Sequence, residues 1–163
     1  MNTRDTNQVI ISVGSNIKPL PNIKESQKIL AQQTNFIYVA DVIETDPVGY
    51  LNQANFLNTA FLVSTTLIYE EFNASLKSIE NIMGRERGSN KAGPRTIDLD
   101  IITWNERLMT DDYYNFDYVS IPVNQVISAM DLSINISKNI ANNIQKLDDL
   151  STINNNSISG TGS

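Results

Sequence analysis

Alternating and helical hydrophobic patterns divide the first two thirds of the chain into six predicted elements. Short β-branched or aromatic runs predict strands at 8–13, 36–44, 55–65 and 97–104, and helices are predicted at 20–34 and 68–83. The second helix has the stronger pattern, because its apolar side chains recur at helical spacing: Phe72, Leu76, Ile79 and Met83. Gly84 follows as a helix stop.

The order β-α-β-β-α-β predicts an α+β fold, a ferredoxin-like sandwich with an antiparallel sheet and both helices on one face. Beyond Thr110 the pattern weakens, so we predict one domain over 1–130 and a diverged C-terminal segment over 131–163. That segment is rich in Asn, Ser and Ile. Its apolar spacing predicts one helix, followed by a linker or a disordered tail: Ile136, Ile140, Ile144 and Leu147.

Composition narrows the chemistry that this chain can carry. Its 163 residues include no cysteine and no histidine, which excludes disulfides, thiolate metal sites and imidazole bases. The net charge of −6 argues against a nucleic-acid or anionic membrane partner, and no apolar run approaches 18 residues. The N-terminus also lacks the apolar core of a signal peptide, so we expect a cytoplasmic protein.

A basic loop precedes the last predicted strand. Residues 85–95 contain four cations and one acid, with two glycines and a serine: the cations are Arg85, Arg87, Lys91 and Arg95. Guanidinium groups bind phosphate oxygens in a fork, and glycine allows close approach of the backbone. The loop is therefore a candidate polyanion site, and a solvated charged loop is the alternative.

Two carboxylates follow directly, on one face of the predicted strand. Asp98 and Asp100 lie at i and i+2, about 6.6–7 Å apart, while Ile97, Leu99 and Ile101 occupy the opposite face. Like charges there repel each other, and a divalent cation between them relieves the repulsion. Oxygen ligands without histidine or cysteine favour Mg²⁺. The loop and the pair together suggest metal-assisted transfer of a phosphate-type group, although an ordinary surface pair of aspartates is the alternative.

At this point the sequence resembles a known family, the 6-hydroxymethyl-7,8-dihydropterin pyrophosphokinases. The similarity rests on residues 93–101 (GPRTIDLDI), with support from 13–16 (VGSN), 45–49 (TDPVG), 56–58 (FLN) and the loop up to Arg95. These segments follow the family's order across roughly residues 8–105. The resemblance implies the ferredoxin-like core and transfer of the β,γ-pyrophosphate of ATP to the pterin hydroxymethyl oxygen, with release of AMP.

The resemblance also assigns residues to roles. It implies that Asp98 and Asp100 bind two Mg²⁺ ions and that Arg85 and Arg95 stabilise the transferred charge. It implies four nucleotide contacts: Glu80, Arg87, Lys91 and Ile101. It implies that Phe56 stacks on the pterin ring and that Asn58 forms hydrogen bonds with the ring edge. It implies three further pterin contacts: Thr45, Asp46 and Val48.

Simpler roles exist for several of these residues. Phe56 is also explained by sheet packing, Asn58 by a turn cap, and Glu80 by a solvated helix position. The segment Gly14–Asn16 is taken as structural and is left outside the predicted site.

The C-terminal part departs from the family pattern. Val123 stands where the family has a histidine, Ala92 stands at a common aromatic position, and no arginine or phenylalanine follows Arg107 or Phe116 respectively. Either the substrate is held differently, or the activity is low, or this sequence departs from its natural C-terminal portion.

Three functions are compatible with the residues. An active pyrophosphokinase is favoured, with ATP and the reduced pterin alcohol as substrates. A catalytically weak or inactive nucleotide-binding and pterin-binding module is the alternative. An RNA-binding ferredoxin-like domain is disfavoured, because Asp98 and Asp100 lie on the sheet surface that RNA would contact. The Asn/Ser-rich end also suggests a linker to a fused dihydropteroate synthase.

Overall fold

The computed structural model describes residues 6–84 and 94–135. Within those residues the chain forms six strands and four helices. In chain order they are β1 (Asn7–Ser15), α1 (Pro19–Gln33), β2 (Asn35–Val39), β3 (Ile43–Thr45), β4 (Phe56–Thr65), α2 (Tyr69–Ile82), β5 (Asp98–Trp104), β6 (Arg107–Leu108), α3 (Asp112–Asn115) and α4 (Asp117–Ala129).

The strands form one antiparallel sheet in the order β2-β4-β1-β5-β6, with β3 also paired to β4. β1 lies at the centre because both of its faces are apolar and buried. Its pairing sets Val13 opposite Thr59 on β4 and opposite Leu99 on β5. This is the strand order of the predicted ferredoxin-like core, and that prediction is confirmed.

Helices α1 and α2 cover one face of the sheet, as the sequence predicts. The apolar stripe of α2 is buried together with Ile23 and Leu30 of α1. These side chains pack on alternate residues of the strands, which include Val9, Phe61 and Leu99. Burial of this apolar surface is the main stabilising term for the fold.

The opposite face carries a second layer that the sequence analysis did not predict. Helix α4 packs Val119, Val123 and Val126 against a separate apolar cluster, which includes Ile10 and Ile102. The three valines follow helical spacing, but Pro122 lies inside the helix and interrupts the sequence signal. The helix survives because tertiary packing outweighs the cost of the proline.

Two local features also differ from the predicted elements. The predicted strand at 36–44 is two strands, β2 and β3, because the chain leaves the ladder after Val39. A hairpin joins β5 to β6 through Asn105 and Glu106, which have φ values of 50° and 66°. The predicted helix beyond residue 135 lies outside the described residues. In the part of the chain that the structure describes, no helix is both long enough and apolar enough to span a bilayer.

Candidate active site

A cavity of about 230 Å³ lies on the α4 side of the sheet. The C-terminal half of β1 lies there between the N-terminal halves of β4 and β5, because β4 and β5 flank β1 and both run antiparallel to it. Its lining comes from four strands and two helices and the segments beside them: Ser12, Gly14, Thr45, Asp46, Val48, Phe56, Asn58, Arg95, Asp98, Asp100, Ile102, Asp112, Tyr118 and Val119. A concave site of this kind is suited to a small molecule.

The two strand carboxylates share this cavity. Asp98 and Asp100 both line it, whereas Leu99 between them is fully buried in the core below α1 and α2. The alternation of β5 therefore holds the two side chains on one face, as the sequence predicts.

Each of these carboxylates has its own cationic neighbour. The Arg95 Nε atom lies 3.6 Å from Asp98 Oδ1, and the Lys77 Nζ atom lies 3.0 Å from Asp100 Oδ1. The guanidinium is nearly buried, while Lys77 reaches Asp100 from α2. The repulsion expected between adjacent aspartates is thus reduced by two separate ion pairs.

The cavity is nevertheless acidic. Four carboxylates line it, and Arg95 is the one cation among its described lining residues: the acids are Asp46, Asp98, Asp100 and Asp112. Burial raises the pKa of Asp112, and the charge of Asp100 raises it further. Burial also raises the pKa of the Tyr118 phenol, as do the neighbouring carboxylates, so the phenol stays protonated at neutral pH. A field of this sign attracts cations.

The donor chemistry fits a hard divalent ion. Over residues 6–84 and 94–135, no three Asp, Glu, His or Cys side chains are grouped to hold a metal. Mg²⁺ does not need such a cage, because it is commonly bound by one or two carboxylates together with water and phosphate oxygens. Asp98 and Asp100 supply that minimal set.

The other end of the cavity is aromatic and hydrogen-bonding. Phe56 and Asn58 lie two residues apart on β4 and therefore face the same side. The Asn58 side-chain amide donates to Thr45 Oγ1 of β3. Asn58 is buried and forms this bond across two strands, so the alternative role as a turn cap is wrong.

Gly14 makes room for that amide. A Cβ atom at this position would lie 2.9 Å from Asn58 Oδ1, a distance that forces one of the two to move. Glycine is needed here for close approach rather than for an unusual backbone angle.

Asn16 joins three parts of the site. Its Nδ2 atom donates to Gln53 Oε1 at 2.8 Å and to the Ala54 carbonyl at 2.9 Å. Its Oδ1 atom accepts from the Arg95 backbone N–H at 2.8 Å, and its own N–H donates to the Arg95 carbonyl. The side chain therefore connects the loop before β4 to the arginine beside Asp98.

The structure brings together eight of the residues predicted for the site. They line one cavity: Thr45, Asp46, Val48, Phe56, Asn58, Arg95, Asp98 and Asp100. Three predicted residues, Arg85, Arg87 and Lys91, lie outside the described residues. The roles assigned to all of these residues stay predictions.

Two predicted nucleotide contacts do not line the cavity. The Ile101 side chain is buried in the core on the α1 and α2 side. Glu80 is fully buried, and its carboxylate accepts from the Leu99 N–H at 2.8 Å and from Lys77. Glu80 is therefore not the solvated helix residue that the alternative interpretation expected.

The sequence analysis missed several residues of the site. Ser12 and Gly14 share a face of β1, and their alternation on that strand was a usable signal. Asp112, Tyr118 and Val119 come from α3 and α4, and no local pattern connects them to the sheet. Tyr118 adds an aromatic side chain to the cavity from α4.

Comparison with known proteins defines the class. Residues 10–128 match the family of 7,8-dihydro-6-hydroxymethylpterin-pyrophosphokinases (HPPK). The match begins within β1 and ends one residue before the end of α4. The chain belongs to this family, as the resemblance in the sequence predicted.

Individual relatives agree with the family match. The 2-amino-4-hydroxy-6-hydroxymethyldihydropteridine pyrophosphokinase of Bacillus subtilis is 39% identical over 102 residues, which is 61% of this chain and 60% of that protein. The protein of the same name in Helicobacter pylori is 32% identical over 108 residues, 64% of this chain and 66% of that protein. A mitochondrial folate synthesis bifunctional protein of Pisum sativum is 37% identical over 107 residues, 64% of this chain and 21% of that protein. The chain thus spans less than two thirds of the length of these relatives.

Proposed function

We propose that this chain transfers pyrophosphate from ATP to the hydroxymethyl group of 6-hydroxymethyl-7,8-dihydropterin, giving AMP and the pterin diphosphate. Two Mg²⁺ ions held through Asp98 and Asp100 are part of the proposal. Family membership and the names of the bacterial relatives support it.

One observation carries the proposal. A single cavity is lined by an acidic pair with an adjacent arginine and by an aromatic ring with a hydrogen-bonding amide. The first set, Asp98, Asp100 and Arg95, is suited to a metal-bound polyphosphate. The second, Phe56 and Asn58, is suited to a flat heterocycle with polar edges. A transfer between a nucleotide and a pterin requires both sets within reach of each other.

The side chains divide the work. Phe56 stacks on the pterin. Asn58 has its Nδ2 atom engaged with Thr45, so Oδ1 accepts from an N–H group of the ring edge. Arg95 donates to phosphate oxygens, and its backbone bonds to Asn16 fix its place.

The reaction then depends on alignment and charge. Bound Mg²⁺ supplies neutralisation of the triphosphate and favours the deprotonated acceptor hydroxyl. The acceptor oxygen bonds to the β-phosphorus as the bond to the AMP oxygen breaks, with the two oxygens in line. No histidine base is required, because positioning and electrostatic stabilisation account for most of the acceleration in phosphoryl transfer.

A coupled assay of AMP release tests the proposal. The full chain is incubated with ATP, Mg²⁺ and the reduced pterin alcohol, and AMP is measured with and without the pterin. We expect AMP only when both substrates are present, with pterin diphosphate formed in equal amount. ATP hydrolysis that does not depend on the pterin contradicts the proposal, as does a complete lack of turnover.

The alternative is a binding module that keeps nucleotide and Mg²⁺ but lacks full activity. The observation that favours it is Val123, which stands at the family's histidine position and is fully buried in the cluster below α4. Calorimetry separates the two functions, since the module binds ATP with Mg²⁺ but forms no AMP. An RNA-binding function is not favoured, because α4 covers part of the sheet face and the cavity beside it is acidic.

Association with a second folate enzyme extends the proposal. Relatives in Pisum sativum and Arabidopsis thaliana are named folate synthesis bifunctional proteins. We propose that this chain works fused to, or together with, a second folate enzyme, and dihydropteroate synthase is our candidate for it. A cytoplasmic location stays a prediction.

A further inference from the structure

Lys77 links helix α2 to the acidic pair, although it does not line the cavity. Its Nζ atom lies 3.1 Å from Glu80 Oε2, 2.9 Å from the Leu99 carbonyl oxygen and 3.0 Å from Asp100 Oδ1. An ammonium group has three N–H donors, and these three acceptors match them in number.

The contacts arise at the side of β5 that faces away from β1. The backbone N–H of Leu99 donates to Glu80, and its carbonyl accepts from Lys77. In the described residues β6 pairs with β5 only at Thr103 and Trp104, so at Leu99 two side chains of α2 take the place of a neighbouring strand. These groups need partners, which explains why an acid and a base lie three residues apart on α2.

This environment fixes the ammonium group. An exposed lysine pair with an aspartate is ordinarily mobile and contributes little. Here Lys77 is two thirds covered, its partner Glu80 is fully buried, and the Leu99 carbonyl belongs to the sheet. The positive charge is therefore held beside Asp100 by a buried carboxylate and by a carbonyl of the sheet.

We propose that Lys77 is a positioning residue that holds Asp100 by its Oδ1 atom and weakens the binding of a free divalent cation to Asp98 and Asp100. The inference rests on the proposed function, because it needs a cation at that pair. A fixed positive charge next to a ligand carboxylate repels an incoming cation and competes for one of its oxygens. The site then favours a cation that arrives with the compensating negative charge of a nucleotide.

Mn²⁺ binding to the full chain without nucleotide tests this inference, with free Mn²⁺ followed by its paramagnetic resonance signal. Lys77→Gln keeps an N–H donor for Leu99 and removes the charge, and we expect it to bind Mn²⁺ about tenfold more tightly than the parent chain. Lys77→Arg keeps the charge and should bind as the parent does. Lys24→Gln, an exposed lysine on α1, makes the same change in net charge and should have no effect.

The outcomes separate the inference from the function on which it rests. Asp100→Asn removes a ligand and should weaken Mn²⁺ binding. If it does so while Lys77→Gln binds no more tightly than the parent, the role of Lys77 is wrong and the metal site stands. If Asp100→Asn binds Mn²⁺ as the parent does, or if neither the parent chain nor Lys77→Gln binds Mn²⁺, both are overturned. Thermal unfolding in a chelator checks that each variant is folded.

Discussion

The cavity has two kinds of wall, and they differ in how the chain builds them. The strand floor consists of the lining residues of β1, β4 and β5, whose directions follow from the pleat of paired strands. The helical cover consists of Asp112, Tyr118 and Val119, which reach the cavity because α3 and α4 pack on the sheet. The floor matches the family's motifs, and the cover lies where the sequence departs from them.

This difference indicates a division of labour. The floor carries Asp98, Asp100 and the hydrogen-bonding amide of Asn58, and Arg95 lies just before β5 beside Asp98. The cover adds one aromatic ring and one carboxylate of raised pKa. We therefore expect changes at the acidic end of the floor to affect turnover most, changes at its aromatic and amide end to weaken pterin binding, and changes in the cover to have smaller effects on binding or stability.

The largest effect is expected at the acidic pair. Asp98→Asn or Asp100→Asn should each reduce AMP release by at least about 100-fold, because each removes a charged ligand of the proposed Mg²⁺ ions. Thermal unfolding should change little, because asparagine has nearly the same shape as aspartate and neither side chain is fully buried. Glu25→Gln, an exposed acid on α1, is the matched control. Near-parent activity in either aspartate variant removes the metal assignment.

Arg95 should rank second. Arg95→Ala is expected to lower kcat on the order of 10- to 100-fold and to raise KM for the pterin far less, because its guanidinium acts on phosphate. Arg95→Lys keeps the positive charge but loses the two-pronged guanidinium contact, so its kcat should lie between those of the parent chain and Arg95→Ala. Steady-state kinetics with each substrate varied measure the split. An unchanged kcat with a raised pterin KM would show that Arg95 contacts the pterin rather than the phosphate.

Gly14 tests the floor by crowding. Gly14→Ala should weaken pterin binding on the order of tenfold, because the added methyl group displaces the Asn58 amide. The double variant with Asn58→Ala should bind no worse than Asn58→Ala alone, since the amide is then absent. Fluorescence titration of the pterin gives the four affinities. If the losses of pterin affinity in the two single variants add up in the double variant, the added methyl group does not act through Asn58.

Tyr118 tests the cover. Tyr118→Ala is expected to weaken pterin binding by about 2- to 10-fold, the range for one aromatic contact, with kcat almost unchanged. Tyr118→Phe keeps the ring and should stay within about twofold of the parent. The same titration applies. A loss in kcat as large as that of the acidic-pair variants erases the difference between cover and floor.

The smallest effect is expected at Asp112. Its raised pKa means that ionisation costs more in the folded than in the unfolded chain, so the charge destabilises the fold above the folded pKa. Asp112→Asn should therefore stabilise the metal-free protein at pH 7, by less than about 1 kcal/mol. The gain should disappear below the ordinary value of 3.8, where the carboxyl is neutral in both states. Thermal unfolding of both proteins from below pH 3.8 to pH 7 measures the difference in stability. A variant that is less stable than the parent chain at pH 7 contradicts the prediction.

Sequence reasoning was reliable where local periodicity decides the outcome. The alternation of residues 97–101 placed Asp98 and Asp100 on one face, and the pattern of 55–65 did the same for Phe56 and Asn58. The sandwich followed from the order of such elements, and the family comparison agrees.

It failed where partners distant in the chain decide the outcome. Asn16 contacts residues 37 and 79 positions away, and nothing near it in the sequence specifies them. In the sequence, Lys77 and Glu80 are polar positions off the apolar stripe of α2. Their partners are the backbone of Leu99 and the carboxylate of Asp100, which lie 19 to 23 residues further along the chain. The position of Tyr118 depends on how α4 packs on the sheet, and Pro122 obscured the helical pattern of α4 in the sequence.

The covered edge at Leu99 has a consequence for the behaviour of the protein at high concentration. An open strand invites a second molecule to add its own strand and begin an aggregate. Glu80 already occupies the hydrogen-bonding group that such a molecule would need, and it does so from within the hydrophobic interior. Helix α2 thus helps to keep separate copies of the chain from joining through β5.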